Sequence, residues 1–544
     1  METKCMINKL FQHLKLRLFI AFFILLYSGV RGQNLFQKSY GSKGYESVSS
    51  IKKTSDKGFV IAGTTDGFGA GLTDLYVIKT DSVGDTLWTR SYGGPGIEMA
   101  GEILQTPDGG YALAGYTQSF GAGYSDFYLL RLKANGDTLW TRTYGGSYAD
   151  QANSISLCSD KGFVLAGFSL SFLIGTNGNA YIVKTDSAGT LLWSKVYGGL
   201  IGSSIYDIAA TSDSGFVMVG EIDGYGLGGS EVYVIKTDIF GDSLWQLNYG
   251  GSGEERGYSI SQTADTGFII AASTTSFGYG QWDGYAIKLD KRGDTLWSRV
   301  YGSAHNEYFK SLTINNAHSF SFCGAQDGFA GDTTNFLMIK TDIFGDTDKV
   351  AAFGGMKVDF CNASAGCAVG GTAMAGNTSS FIKPNNKVYL LTTDSNGNSS
   401  CNKRVSQIST KKTPTHINHL HLKANAVISL SGATHTILQD STNFLSNDCF
   451  LSGIGGQNST SAMTDIFPNP AEGTVVLRNA SFSEHNVSVQ VFSSLGALVF
   501  PVASKQERAI LLDFSNLPDG IFFIEIKIGT ETAIKKLIHL TGGG

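Results

Sequence analysis

A chain of 544 residues with a net charge of −5 and only 16% charged residues does not carry the clustered basic surface that a nucleic-acid binder needs. Its 69 glycines against 8 prolines, with 12% aromatic residues, exclude a disordered or largely helical polymer and point to β-structure with many tight turns. The length allows two or three domains and a large buried core.

At the N-terminus, Lys9, Lys15 and Arg17 precede the apolar run Leu18–Tyr27, and the small residues Ser28, Gly29 and Gly32 follow. This reads as a secretory signal over 1–32, cleaved after Gly32. The run is too short to cross a bilayer comfortably, which weighs against an uncleaved anchor. Beyond the signal lie Cys158, Cys323, Cys361, Cys367, Cys401 and Cys449. In an oxidising compartment they are able to pair, but spacing alone does not fix the connectivity.

Tryptophan reveals a repeat. Trp88, Trp140, Trp193, Trp245 and Trp297 are separated by 52, 53, 52 and 52 residues. One step back reaches Phe36; further steps reach Lys349 and Cys401, where the flanking Thr-Asp and Gly residues persist. These positions enclose seven units between 33 and 401. Within a unit, four short strands are punctuated by turns such as Pro107-Asp108-Gly109-Gly110 and Asn135-Gly136-Asp137. Asn-Gly and Asp-Gly between apolar runs are hairpin signals. Four antiparallel strands per unit predict a propeller blade, and the whole predicts a seven-bladed β-propeller. A blade has two apolar faces, and stacking in a closed ring buries both. The periodic Trp and Tyr read as packing between blades. Two segments compete to close the ring, residues 35–40 and the chain after Cys401; an open β-solenoid is the lesser architecture.

Aligning the units brings out an acid six residues after each strand-ending Tyr or Phe: Glu46, Glu98, Asp150, Glu255, Glu307 and Asp359, with Ser203 in the fourth unit. They start the strand expected to line the channel. One reading is a ligand or cation site at the channel mouth, with calcium as the candidate ion. The competing reading gives each acid to the backbone N–H groups of its own loop. A second set, Asp74, Asp126, Glu231 and Asp283, precedes the fourth strand, with Asn179, Asn335 and Lys387 in the other units. A third set, Asp85, Asp137, Asp242, Asp294 and Asp346, reads as turn chemistry.

Residues 402–460 lose the repeat phase. They predict a β-rich connector tied by a Cys401–Cys449 disulfide. His416, His419 and His421 fall here without the partners a metal site needs, so no metal is assigned.

The last segment, 461–544, contains Asp465-Ile-Phe-Pro468-Asn469-Pro470, then Val489-Gln-Val-Phe492-Ser-Ser-Leu-Gly496, then Leu517-Pro518-Asp-Gly520-Ile-Phe-Phe, and Ile-Lys535-Lys536-Leu-Ile-His539. These motifs resemble the C-terminal sorting domain (type A) of the type IX secretion system of Bacteroidota. The resemblance implies an immunoglobulin-like sandwich read by the outer-membrane translocon, and a cargo that is released or held at the cell surface. The repeats also resemble those of many large secreted Bacteroidota proteins, a resemblance that implies no particular activity. The expected function is therefore a non-enzymatic, monomeric binding or structural propeller at the cell surface or in the medium, its ligand a glycan or a surface protein. The alternative is a secreted hydrolase or lyase acting on carbohydrate through the mouth acids. No nucleophile elbow or zinc-protease motif is present.

Overall fold

The computed structural model describes residues 35–401, apart from 175–176, 200, 226–227, 329–333, 368–369 and 382–385, and beyond 401 the strands named below with residues 408 and 413. The proposed signal segment 1–32 lies outside the described residues. Among them the fold is all-β, with no α-helix. The chain divides into two compact units, 1–452 and 453–544.

In the first unit each repeat forms one antiparallel sheet. In blade 1 the order from the centre outward is Glu46–Lys53, Phe59–Thr65, Asp74–Thr80 and Thr86–Gly93. The innermost strands of the other blades are Glu98–Gln105, Asp150–Leu157, Ser203–Ala210, Glu255–Gln262, Glu307–Asn316 and Asp359–Gly366. Seven such sheets make a seven-bladed propeller.

Of the two segments able to close the ring, residues 37–40 do so. Gln37–Tyr40 lies beside Lys387–Thr392 as the fourth strand of blade 7, with Gln37 opposite Leu391 and Tyr40 opposite Val388. Sheet hydrogen bonds thus join the start of the ring to its end.

Residues 402–460 take a different role. Their strands pair with the outer edges of the propeller sheets, one per blade. In chain order, Lys403–Arg404 joins blade 6, Ser409–Lys412 blade 5 and His416–His419 blade 4. Then Asn425–Val427 joins blade 3, Leu430–Ala433 blade 2, Ile437–Gln439 blade 1 and Ser446–Asn447 blade 7. The chain therefore circles the ring a second time, in reverse, and covers edges that would otherwise present unpaired N–H and C=O groups. His421 and Cys449 lie outside the described residues, and with Cys449 so does the expected disulfide.

Each seam between blades holds its own apolar cluster. The Trp of one outer strand packs edge-on against an aromatic on the second strand of the next blade: Trp88 on Tyr111 at 5.8 Å and Trp140 on Phe163 at 6.3 Å. Phe36 fills this place at the closing seam, 6.3 Å from Phe59. The buried Tyr of the same strand donates to the carbonyl of a turn glycine one blade on. The pairs are Tyr40–Gly84, Tyr92–Gly136, Tyr144–Gly189, Tyr197–Gly241, Tyr249–Gly293 and Tyr301–Gly345, at 2.5 to 2.7 Å. Gly84 sits at φ +80°, a left-handed conformation that glycine adopts without cost. In blade 6 the Tyr is Phe353, which has no hydroxyl to donate.

The second unit contains two four-stranded antiparallel sheets. One holds Asp465–Phe467, Thr474–Arg478, Val502–Gln506 and Ala509–Asp513; the other Val487–Ser493, Leu498–Val499, Gly520–Ile528 and Glu531–His539. Val491 and Ile524 from one sheet and Leu512 from the other are buried, as a two-layer sandwich requires.

Candidate functional site

The six acids all start innermost strands, and all are fully buried. Each holds the loop that leads into its strand. Gly94 N–H donates to Glu98 at 2.9 Å, Gly146 to Asp150 at 2.7 Å, Gly251 to Glu255 at 2.8 Å, Ser303 to Glu307 at 2.9 Å and Gly355 to Asp359 at 2.6 Å. Glu46 accepts from Ser42 N at 2.9 Å and pairs with Lys387 at 2.7 Å. Hydroxyls add to the shells, among them Thr117 on Glu98 and Thr274 on Glu255, both at 2.6 Å, while Asp150 Oδ1 is buried with no hydrogen-bond partner among the described residues. Ser203 replaces the carboxylate by accepting from Ala180 N at 3.1 Å and donating to Tyr197 O at 3.2 Å. Among the described residues, no three His, Cys, Asp or Glu side chains are placed to hold one metal ion.

The second acidic set meets the first across the seams. A Cβ on Gly93 would overlap both Asp74 Oδ1 of blade 1 and Glu98 Oε2 of blade 2, and one on Gly145 both Asp126 Oδ1 and Asp150 Oδ2. Asn179 and Ser203, Asn335 and Asp359, and Lys387 and Glu46 meet in the same way. The Gly after the strand-ending Tyr is thus required by two side chains from different blades. Asp126 accepts from Ala122 and Gly123 N–H at 2.9 and 3.0 Å, and Asp283 from Tyr279 and Gly280 at 3.1 and 3.2 Å. Burial pushes both up to about 6, and Asp150 adds to the rise at Asp126. The third set differs from its reading as turn chemistry: Asp81 and Asp238 hold the turn N–H groups, while Asp85 and Asp242 pair across the seam with Lys38 and Lys195 at 2.6 Å.

The repeat breaks in the channel. Every innermost strand carries a β-bulge three residues after its first position. The bulged residues are Ser49, Gly101 with Glu102, Asn153, Tyr206, Tyr258, Lys310 and Asn362. Bulges re-aim side chains, and here the re-aimed positions line a central cavity of about 390 Å³. The bulge also pushes a carbonyl against the second strand. A Cβ on Gly63, Gly115, Gly167, Gly220, Gly324 or Gly376 would overlap that oxygen, which accounts for the repeated glycine there. Blade 5 carries Ala272 instead. Past the bulge, side chains of the preceding blade accept the backbone N–H groups: Glu102 from Ile155 at 3.1 Å, Ser154 from Ile208 at 3.2 Å and Asp207 from Ile260 at 2.8 Å.

Tyr206, Tyr258 and Lys310 line one side of this cavity, and a further run of aromatic and charged groups adjoins them. Tyr206 and Tyr258 stack at 5.5 Å, and Lys310 Nζ lies 3.5 Å above the Tyr258 ring. Tyr206 donates to Glu221 at 2.5 Å, and Glu221 pairs with Arg256 at 3.0 Å. Arg256 stacks over Trp282 at 5.5 Å, and the strip continues through Tyr308 at 6.1 Å to Phe360 at 6.3 Å. Burial first, then Arg256, lowers Lys310 to about 8. Blades 1 to 3 place Ser49, Gly101 and Asn153 at the corresponding bulges. The repeating acids do not point to this cluster; its signal is the bulge position, which turns from Ser49, Gly101 and Asn153 to Tyr206, Tyr258 and Lys310 in successive units.

The fold and its C-terminal unit define a class: a β-propeller carried as secretion cargo. Residues 465–539 match the family of the secretion system C-terminal sorting domain. The chain thus bears the address read by the type IX secretion machinery and is exported to the cell surface or the extracellular space. Of the sorting motif, Gly520 starts a strand, and Lys535 and Lys536 lie opposite Ile524 and Phe523 in the same sheet. Pro468, Asn469, Pro470 and Gly496 lie outside the described residues. A curated relative, the regulatory protein FlaEY of Caulobacter vibrioides, is 24% identical over 330 residues, which are 55% of this chain and 32% of that protein. The chain thus spans about a third of that relative's length. Among solved structures, the plexin A4 extracellular region aligns with 93% of this chain and 53% of its own at 8% identity and a TM-score of 0.25.

Proposed function

We propose that the chain is a non-enzymatic, monomeric binding propeller whose ligand, a glycan or a surface protein, enters the channel beside blades 4 to 7. The observation that carries this reading is the one-sided cluster of Tyr206, Tyr258, Lys310, Arg256, Trp282 and Tyr308, set where an otherwise regular repeat departs from its pattern. The cavity wall is mostly polar, with Ser, Asn, Lys and acidic side chains beside Tyr206 and Tyr258, a set able to hydrogen-bond and stack a ligand. The six mouth acids act as loop staples in this account, because each is buried and accepts a loop N–H group.

A second reading, a glycan hydrolase or lyase, is favoured by one observation. Glu102 and Asp207 both take part in hydrogen bonds with Ser154 Oγ in the channel, and burial together with Glu102 raises the Asp207 carboxyl. Two acids in unlike environments are what acid–base catalysis uses. Both, however, also accept backbone N–H groups of the next blade, which fixes them structurally. Incubating the purified protein with polysaccharides and sizing the products separates the readings. Bound polymer of unchanged length supports the propeller as a binder; shortened polymer overturns it.

A further inference from the structure

Resting on that binding reading, we infer that the channel site takes an acidic saccharide, with its anionic group on Lys310 and its sugar rings on the aromatic strip.

The argument begins with what the bulged side chains already do. Asn153 donates to Ile205 O at 2.7 Å, Asn362 to Val48 O at 3.0 Å, and Tyr206 to Glu221. Arg256 pairs with Glu221 and with Glu254 at 3.4 Å. Lys310 is different. Its ammonium rests on the Tyr258 ring, and among the described residues no carboxylate lies within ion-pair distance of it, although Glu221 attracts it from further off. A cation beside water and unpaired by the protein is an anchor for an anion carried by a ligand.

The walls set the rest of the ligand. Tyr206 and Tyr258, 5.5 Å apart, line the cavity itself, and Trp282, Tyr308 and Phe360 form a second run, 6.1 and 6.3 Å between neighbours, that adjoins it through Arg256. Ring faces not already taken by Lys310 and Arg256 carry partial negative charge and accept the polarised C–H groups of a pyranose. An acidic peptide fits less well. Peptides add to open sheet edges or seat side chains in pockets, and the outer edges here are already covered by the strands of 403–447. A cavity of about 390 Å³ lies at the small end of ligand pockets, which suits one or two sugar rings with the rest of the chain outside.

Calorimetric titration of the full chain tests the inference, with tetragalacturonate and a heparin tetrasaccharide as acidic probes. Galactotetraose serves as the uncharged probe and poly-glutamate as the acidic peptide. The expected result is that at least one acidic saccharide binds about tenfold or more tighter than galactotetraose. Lys310→Gln should remove most of that preference and Lys310→Arg should keep it, with thermal melts confirming that both variants fold. Carboxylate and sulfate selectivity are told apart by which acidic probe binds. Equal affinity for galactotetraose, or tighter binding of poly-glutamate, overturns the acidic-saccharide assignment and leaves a binding propeller standing. No binding of any saccharide overturns the assignment as well. Shortening of polygalacturonate overturns the binding reading itself.

Discussion

The hydroxyl of Tyr40 donates to the carbonyl of Gly84 at 2.6 Å, and so joins the strand that closes the ring to the turn of the blade beside it. Five further Tyr–Gly pairs repeat this bond at other seams, and Phe353 forgoes it between blades 6 and 7. Removing one hydroxyl leaves a buried carbonyl short of a partner, which costs about 1 to 2 kcal/mol. Tyr40→Phe and Tyr144→Phe should each lower stability by that amount in chemical denaturation. Phe353→Tyr should not lower it if the added hydroxyl reaches the turn at Gly397.

The bulge and the glycine opposite it form a unit. Gly167→Ala places a methyl against the Gln151 carbonyl and must shift the bulge at Asn153. A loss of about 2 kcal/mol or more is expected, measured by thermal unfolding. The same substitution at Gly366, where a Cβ would find only Thr313 at 3.6 Å, should be tolerated far better.

Asp126 and Asp283 give the propeller an acid-favouring stability. Their folded-state values near 6 lie above the ordinary 3.8, so the folded protein holds protons that the unfolded chain releases. That contribution is present at low pH and is lost as the pH rises through about 6. Asp126→Asn with Asp283→Asn should flatten the curve and raise the melting temperature at pH 8 relative to wild type. The effect is on the order of 1–2 kcal/mol per site. Asn already serves in blade 3, where Asn179 Oδ1 accepts from Ile174 N at 2.7 Å. A melting temperature unchanged between pH 5 and 8 in the wild type would argue against the buried-proton account.

The second circuit of the chain shields the outer edges. A chain ending at residue 401 should still form blades but expose their edge strands. Lower solubility and concentration-dependent association are expected in light scattering, compared with a chain ending at 452.

Calcium at millimolar concentration should leave the melting temperature unchanged, because the six mouth acids are fully buried and each already holds a loop N–H group. A clear upward shift would reinstate the cation reading of Glu46, Glu98, Asp150, Glu255, Glu307 and Asp359.

The ring was legible because Trp, Tyr and Gly recur at nearly fixed spacing, and each recurrence has one physical cause at a seam. The closing strand was visible as Phe36 in the place of Trp, though a rival remained. The strands of 403–447 were not legible as edge strands. They are two to four residues long and join by backbone hydrogen bonds, which leave no side-chain pattern in Ser, Thr, Asn and His. The acids drew attention because they repeat, yet repetition marks what every blade needs to hold its loop. Lys310 and Tyr258 escaped notice because a bulge, which the sequence does not announce, turns them into the channel.

Affinity electrophoresis in gels containing polygalacturonate or heparin, whichever matches the tighter acidic probe, tests the central claim, that binding resides where the repeat breaks. Wild type and Glu98→Gln, which alters a staple in blade 2, should be retarded, whereas Lys310→Gln should lose most of the retardation. Retardation of Lys310→Gln equal to wild type, or its loss in a folded Glu98→Gln, would contradict the claim.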